Sequence, residues 1–427
     1  MDTTAIKRAV ATLLISCILL SSLLLPCPAY ADTTAVAVDL TPLCHVSADN
    51  HAGQHIKDIT DTSVFTDSTF FPYERVSISW AASVPVRAVL ISFHSEPPLY
   101  QILQYDENDA LLSEQAGPAF VNGVVYVSDQ TRRVTFVSIE HVRVCELYAY
   151  GEGTIPNVHP WQPIPEKLDY LVIGMHPDDE TLFMGAIVPM YGSEEGKCGS
   201  VLVMATRNRN RKNEALNAIW TLGLRSYPIL ETFPDLVQCG TKGEVQFSKE
   251  LIVKRLVSVI RKRKPEVIFT HDLQGEYGHW QHKRLSESVL EAVLLATDSS
   301  YDPESYALYG TWTVKKLYLH LYPKNRLQLK VTAPLTSFGG RNAVDVAREA
   351  FRCHASQTGG AHQVTNRGVY SLSDYGLAYT TVGYDTDGVN DPFEHVDPTS
   401  LHGHVALKQV RDAVERTLAR FLGTWSS

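Results

Sequence analysis

One imidazole and three carboxylates stand within five residues at His176-Pro177-Asp178-Asp179-Glu180. So many like charges side by side are costly unless a cation sits among them. They follow Tyr170-Leu171-Val172-Ile173, an apolar run that reads as a buried parallel strand. In open α/β sheets, ligands bind at the carboxyl ends of strands. A divalent metal accounts for the cluster; a solvated acidic turn is the plain alternative.

A second cluster repeats the arrangement. The strand-like run Glu266-Val267-Ile268-Phe269-Thr270 leads to His271-Asp272, then to Gly275-Glu276-Tyr277-Gly278-His279-Trp280-Gln281-His282. His279 and His282 lie three apart and share a face if a helix begins there. Two histidines and an aspartate from two strand ends make a three-ligand site with an open position, as in catalytic zinc. Structural zinc closes with four protein ligands, usually including Cys. The chain has 16 histidines, so scattered loop histidines are the rival reading. Two clusters at two strand ends favour the metal.

The elements that must position these residues fall into two regions. Residues 32–154 look all-β: Val76–Trp80 and Val134–Val137 alternate, and Val86–Phe93 and Val142–Tyr150 also read as strands, so a β-sandwich is expected. Residues 155–166 are a Pro-rich linker. From 167 to 427 strand and helix alternate. A helix is expected from the first cluster through Met190, and another opens after Arg207-Asn208-Arg209-Asn210-Arg211. A third is capped by Ser248 and stopped before Pro265; further helices are expected over Ala343–Ser356 and Val405–Phe421. This pattern is that of an α/β domain with a mostly parallel sheet covered on both faces by helices.

Residues 1–31 read as a signal peptide: Lys7 and Arg8, an apolar run, and Ala29-Tyr30-Ala31 before Asp32. A secreted protein is expected, with membrane attachment only if this segment stays uncleaved. A net charge of −9 makes the chain a poor binder of nucleic acid and anionic lipid. In an oxidising compartment Cys44 and Cys145, near the two ends of the β region, are expected to pair. Cys198–Cys239 is a weaker candidate pair, and Cys353 would be left free. The sequence leaves the oligomeric state open.

The second region resembles the PIG-L/LmbE family of zinc-dependent de-N-acetylases. The resemblance is carried by Met175-His176-Pro177-Asp178-Asp179-Glu180; by Thr206-Arg207, Arg211-Lys212-Asn213-Glu214 and Leu222-Gly223; by Thr270-His271-Asp272 with Gly278-His279-x-x-His282; and by His354-Ala355-Ser356-Gln357. It implies a Rossmann-like fold and hydrolysis of the N-acetyl group of an N-acetylglucosamine conjugate. It implies further that His176, Asp179 and His282 hold one Zn2+ per chain, that Asp178 is the general base and that His279 assists at the oxyanion. Another divalent transition metal could occupy the same ligands. Zinc acidifies a bound water and polarises the amide carbonyl, and a carboxylate takes the proton and later passes it to the leaving amine. Arg211 is a candidate contact to the sugar; a solvated cation is the plain alternative. Where many relatives have Pro-Asp between the paired histidines, this chain has Trp280-Gln281. The missing acid leaves the protonation of His279 open, and Trp280 either offers a sugar-stacking face or packs.

The β region resembles, more weakly, discoidin-like (galactose-binding-like) jelly rolls, through Cys44 and Val144-Cys145-Glu146-Leu147-Tyr148-Ala149-Tyr150-Gly151. The expected partner is an amino-sugar conjugate or glycan. The alternatives are a carbohydrate-binding protein with a decayed catalytic fold, or a zinc hydrolase of some other small N-acyl compound. Finally, the Tyr- and Gly-rich stretch from Gly368 to Thr381 suits sugars, which present apolar faces and polar edges. Tyr375 and Tyr379 are therefore expected at the rim of the metal pocket, a hairpin on the sheet edge being the alternative.

Overall fold

The computed structural model describes residues 35–49, 54–156, 158–236, 245–360 and 362–398. The expected leader, the helix expected over Val405–Phe421 and Cys239 lie outside these residues. The chain divides into two compact units between Val158 and His159.

The first unit is built from β1 (His45–Ala48), α1 (Gln54–Asp58), β2 (Ser68–Phe70), β3 (Arg75–Ser79), β4 (Ala88–Phe93), β5 (Tyr100–Tyr105), β6 (Leu111–Ala116), β7 (Asn122–Tyr126), β8 (Arg133–Ser138) and β9 (Val142–Tyr150). They form two sheets, ordered β1-β3-β8-β5-β6 and β2-β9-β4-β7. Every pairing in them is antiparallel. The period-two alternation does its expected work: Val76 and Ile78 point inward, while Ser77 bonds Thr135 across the ladder at 2.8 Å. Val89, Ile91, Ile102, Val134, Phe136 and Leu147 close the core between the sheets. The unit is the expected β-sandwich.

The expected Cys44–Cys145 disulfide is not formed; among the described residues Cys44, Cys145, Cys198 and Cys353 make no disulfide bond. Cys44 instead points its thiol at the Leu40 carbonyl, 3.3 Å away, and Cys145 is fully buried on β9. Position near two domain ends brings strands together without bringing their side chains to bonding geometry.

The second unit runs β10 (Tyr170–Gly174), α2 (Asp179–Leu182), β11 (Gly199–Val203), α3 (Arg209–Thr221), β12 (Ile229–Leu230), α4 (Lys249–Arg263), β13 (Val267–Thr270), α5 (Trp280–Leu295), α6 (Pro303–Tyr309), β14 (Lys316–His320), β15 (Arg326–Gln328), α7 (Ala343–Phe351) and β16 (Asp374–Thr380). The sheet order is β12-β11-β10-β13-β14-β16-β15. β12 to β14 are parallel, whereas β16 and β15 are antiparallel additions at one edge. From β10 the chain steps outward to β11 and β12, then returns to β13 on the other side. The order therefore reverses between β10 and β13, where doubly wound sheets open a crevice at their carboxyl ends.

Local signals set the helices. Ser248 caps α4 by accepting from Leu251 N, and Lys264 ends it in the left-handed region at φ 48° before Pro265. Ile252, Val253, Leu256 and Ile260 of α4 and Leu285, Val289 and Val293 of α5 pack on Leu171, Ile173, Ile268 and Leu317 of the sheet. Each such side chain contributes about 1.5–3 kcal/mol. The helix expected through Met190 is broken: α2 ends at Leu182, and Val188–Glu194 is wound as a π-helix. Gly185 and Pro189 explain the break. A Cβ on Gly185 would lie 2.7 Å from that of Ala347, so glycine lets α7 come close, and Pro189 lacks a backbone donor. The later part of the expected linker belongs to the second unit. Gln162 bridges Ser226, and Trp161 packs edge-on against Trp220 and Tyr227.

Candidate metal centre and active site

The crevice between β10 and β13 collects both clusters. The turn after β10 carries His176, Asp178 and Asp179, and α5 opens with Gln281 and His282 pointing inward and buried. His176 Nδ1 lies 3.1 Å from His282 Nε2, and Asp179 Oδ2 lies 3.3 Å from each. A tetrahedral ion with bonds of about 2.0–2.1 Å requires ligand atoms about 3.3–3.4 Å apart. The three atoms, 3.1–3.3 Å apart, are already close to that spacing.

Hydrogen bonds fix which atoms carry lone pairs. Gln281 Oε1 faces His176 Nε2 at 3.0 Å, and it is the oxygen because Leu236 N donates to it while Nε2 donates to the Pro234 carbonyl. His176 therefore gives its proton to Gln281 and keeps Nδ1 bare. Glu276 Oε2 takes the Nδ1 proton of His282 at 2.7 Å, which leaves Nε2 bare. Two lone pairs and a carboxylate oxygen thus face one another in a buried space, an arrangement a divalent cation satisfies. Burial works against the charge of Asp179, but the neighbouring His282 and His271 hold its carboxyl well below the usual range.

His279 and His271 lie close enough to extend the ligand set: His176, His279 and His282 form one group able to hold a metal, and Asp179, His271 and His282 another. His271 is already engaged. Its Nδ1 meets Glu276 at 3.1 Å, and its Nε2 sits 3.2 Å from Asp179 and 3.0 Å from the Met175 amide. Burial alone would lower its pKa, but Glu276 and Asp179 outweigh that and raise it to about 10. His279 is pushed the other way, to about 4, by burial and by the neighbouring imidazoles of His176 and His282. Such a shift favours a neutral imidazole near pH 7.

Asp178 sits beside Asp179 but makes a different set of contacts. Burial first, and then the charge of Asp179, push its pKa up to about 7, while Arg211 pulls against them. Arg211 reaches the site as expected: Nη2 lies 3.3 Å from Asp178 and donates to the Pro177 carbonyl at 2.6 Å, and Nη1 pairs with Asp235. Trp280 packs: its indole donates to the Leu236 carbonyl at 3.0 Å, and its ring lies edge-on to Phe247.

Tyr375 and Tyr379 are not at the rim. The stretch around them is β16, an inner strand of the sheet between β14 and β15. Tyr375 is 1% exposed and donates its hydroxyl to the Phe183 carbonyl at 2.8 Å. Tyr379 pairs with Leu317, near the amino end of β14 and away from the crevice, and packs on the core. Its alternation of small and aromatic residues is that of a strand, and the hairpin alternative was nearer. The tyrosines that do face the crevice are Tyr277, ringed by His279 and His282, and Tyr370, stacked on Phe183 at 5.6 Å.

Sequence reasoning passed over Glu276, Gln281 and His320, which hold the histidines in place. Glu276 had a signal: it lies between Gly275 and Gly278 inside a histidine cluster, and it adopts φ 52°. A carboxylate held in the left-handed region beside metal ligands is a constrained residue. His320, at the end of β14, bonds Glu276 at 3.1 Å and the Ser371 carbonyl at 2.7 Å. Nothing in its neighbourhood along the chain would have singled it out.

Residues 171–293, which include both clusters, match the family model described as PIG-L, GlcNAc-PI de-N-acetylase. That stretch is similar to the PIG-L family. A similar sequence is the 1D-myo-inositol 2-acetamido-2-deoxy-alpha-D-glucopyranoside deacetylase of Geodermatophilus obscurus, 29% identical in an alignment 192 residues long that covers 38% of this chain. The chain spans 64% of that relative's length. Among solved structures, the N,N'-diacetylchitobiose deacetylase of Pyrococcus horikoshii is 18% identical, with a TM-score of 0.35, covering 44% of this chain and 70% of that one. The family 32 CBM from C. perfringens NanJ, in complex with galactose, is 14% identical, with a TM-score of 0.23, covering 27% of this chain and 98% of that one.

Proposed function

We propose that the second unit, which is similar to the PIG-L family over residues 171–293, is a metal-dependent amidohydrolase that removes the acetyl group from an N-acetylglucosamine-type conjugate. The observation that carries this reading is the meeting of His176 Nδ1, Asp179 Oδ2 and His282 Nε2 at 3.1–3.3 Å beside a second, separately held carboxylate. The name of the Geodermatophilus relative, an acetamido-glucopyranoside deacetylase, supports the substrate class. Zinc is the proposed ion; when bound it supplies Lewis acidity to the acyl carbonyl and to water.

The residues divide the remaining work. Asp178, with a pKa lifted to about 7, is matched to take a proton from the attacking water and give it to the departing amine. Arg211 holds the Asp178 carboxylate and the preceding carbonyl, so the base is aimed rather than free to rotate. His279, neutral, contributes to oxyanion stabilisation as an N–H donor rather than as a charge. Gln281 and Glu276 keep the lone pairs of His176 and His282 turned inward. A decayed catalytic fold should have lost at least one of these contacts, and all are present. Export through the leader and action on a glycan outside the cell belong to the same proposal. Acetate release from N-acetylglucosamine conjugates, with and without chelator, tests it: release abolished by chelator is expected, and none from any N-acetylated sugar would overturn it.

A further inference from the structure

Asp178 adopts φ 130° and ψ −28°, a backbone conformation that residues other than glycine rarely take. Such a backbone persists only where its surroundings hold it, and here they do so on three sides. Arg211 Nη2 grips the Pro177 carbonyl at 2.6 Å. Thr181 Oγ1, Thr181 N and Leu182 N all donate to the Asp178 carbonyl, at 2.7–2.9 Å. The Asp178 amide donates to Glu180 Oε2 at 2.9 Å. Glu180 is itself fixed from far along the chain, since His354 Nε2 meets its other oxygen, Oε1, at 2.6 Å. Both side chains are buried. Among the described residues His354 Nδ1 has no partner, so its one side-chain hydrogen bond goes to Glu180. The turn after His354 is pinned in turn: Glu214 accepts from Ser356 N at 2.8 Å and from its hydroxyl at 2.6 Å.

We infer that Glu180 and His354 are positioning residues that hold Asp178 in its strained pose through the Asp178 backbone amide. The inference rests on the reading of Asp178 as the base. It gives a purpose to the last residue of His176-Pro177-Asp178-Asp179-Glu180 and to the histidine of His354-Ala355-Ser356-Gln357, neither of which reaches the three ligand atoms. The carboxylate must be Glu rather than Asp: the side chain turns back two residues to its own strand of peptide while still presenting an oxygen to α7's end.

The test compares Glu180→Ala with Glu180→Gln in the full-length, zinc-loaded protein. Crystal structures should show Asp178 relaxed to negative φ in the alanine variant and unchanged in the glutamine variant, whose amide oxygen can still accept from Asp178 N. Retention of the positive φ in Glu180→Ala overturns the inference, whatever the substrate proves to be. Glu180→Ala should also lower kcat about 10²-fold, as displacement of a catalytic group by about 1 Å does, with KM and zinc content unchanged. Placed on Asp178→Asn, it should cost nothing more. Independent, additive losses or loss of zinc overturn the inference, because Glu180 would then act elsewhere. Should Glu180→Ala not fold, His354→Gln, which can still donate to Glu180, should keep most of the rate, whereas His354→Leu should not; equal losses overturn it. A wild-type protein that releases no acetate would refute the proposed function alone, since the comparison of φ values needs no substrate.

Discussion

Glu276→Gln removes a charge and almost no volume, yet it should strip the metal. Glu276 accepts from four donors: Oε1 from His271 Nδ1 and His320 Nδ1, each at 3.1 Å, and from Asp272 N at 3.0 Å; Oε2 from His282 Nδ1 at 2.7 Å. An amide has one acceptor oxygen. If that oxygen takes the Oε1 place, the NH2 group meets His282 Nδ1, donor against donor. His282 can relieve the clash by moving its proton to Nε2, the nitrogen that lies 3.1 Å from His176 Nδ1 and must be bare to bind a cation. The opposite placement sets NH2 against three donors. Either way a charge-assisted bond of about 1.5–3 kcal/mol is lost. At about 1.4 kcal/mol per tenfold, zinc affinity should fall ~10–100-fold, the range typical when the partner of a metal-bound histidine is removed. Competition with a chromophoric chelator measures this directly, and circular dichroism checks that the fold persists. A folded Glu276→Gln variant that binds zinc as tightly as wild type would refute the tautomer argument.

Asp178→Asn should keep its zinc and lose ~10²–10⁴-fold in rate. Because burial and Asp179 raise the Asp178 pKa to about 7, and only the ionised form can act as base, the rate should fall as pH drops through an acid limb. A bound cation can only move that limb below about 7, so a limb above pH 8 would contradict the assignment. Chelator-stripped protein should gain thermal stability on adding zinc, by about 2.7 kcal/mol at a hundredfold excess over Kd. His282→Ala should gain none, and an equal gain in that variant would place the ion elsewhere. Tyr375→Phe leaves the buried Phe183 carbonyl without its donor. It should cost about 1 kcal/mol of stability with KM for extended and minimal substrates unchanged, and a selective rise in KM for extended substrates would restore Tyr375 to the pocket. Alkylation of the denatured, unreduced protein should label both Cys44 and Cys145; a peptide in which the two are joined would contradict the absence of a disulfide between them.

What was legible in the sequence was whatever chemistry concentrates in a few adjacent residues. His176, Asp178, Asp179, His279 and His282 come together because each cluster hangs on the end of an apolar strand, and two such strands are neighbours in the sheet. The alternation of Val76–Trp80 marked a strand buried on one face and the continuous apolar runs of β10 and β13 marked strands buried on both, which gave the sandwich and the parallel sheet. Contacts made across long separations were harder to see. His320 reaches Glu276 over 44 residues and His354 reaches Glu180 over 174, and no local pattern announces either. Tyr375 was misplaced because a Tyr/Gly-rich run fits both a sugar-binding loop and an aromatic inner strand. Only its pairing with His320 on β14 and Leu327 on β15 decides for the strand. Helix continuity through Met190 failed on Gly185, whose missing Cβ matters only once Ala347 is known to lie against it.

The most direct test of the account is acetate release from N-acetylglucosamine conjugates by purified protein, assayed as isolated, after chelation and after zinc is restored, with His282→Ala alongside. The account predicts turnover that chelation abolishes and zinc restores, with none at any stage in His282→Ala. Turnover that survives both chelation and the loss of His282 would contradict it.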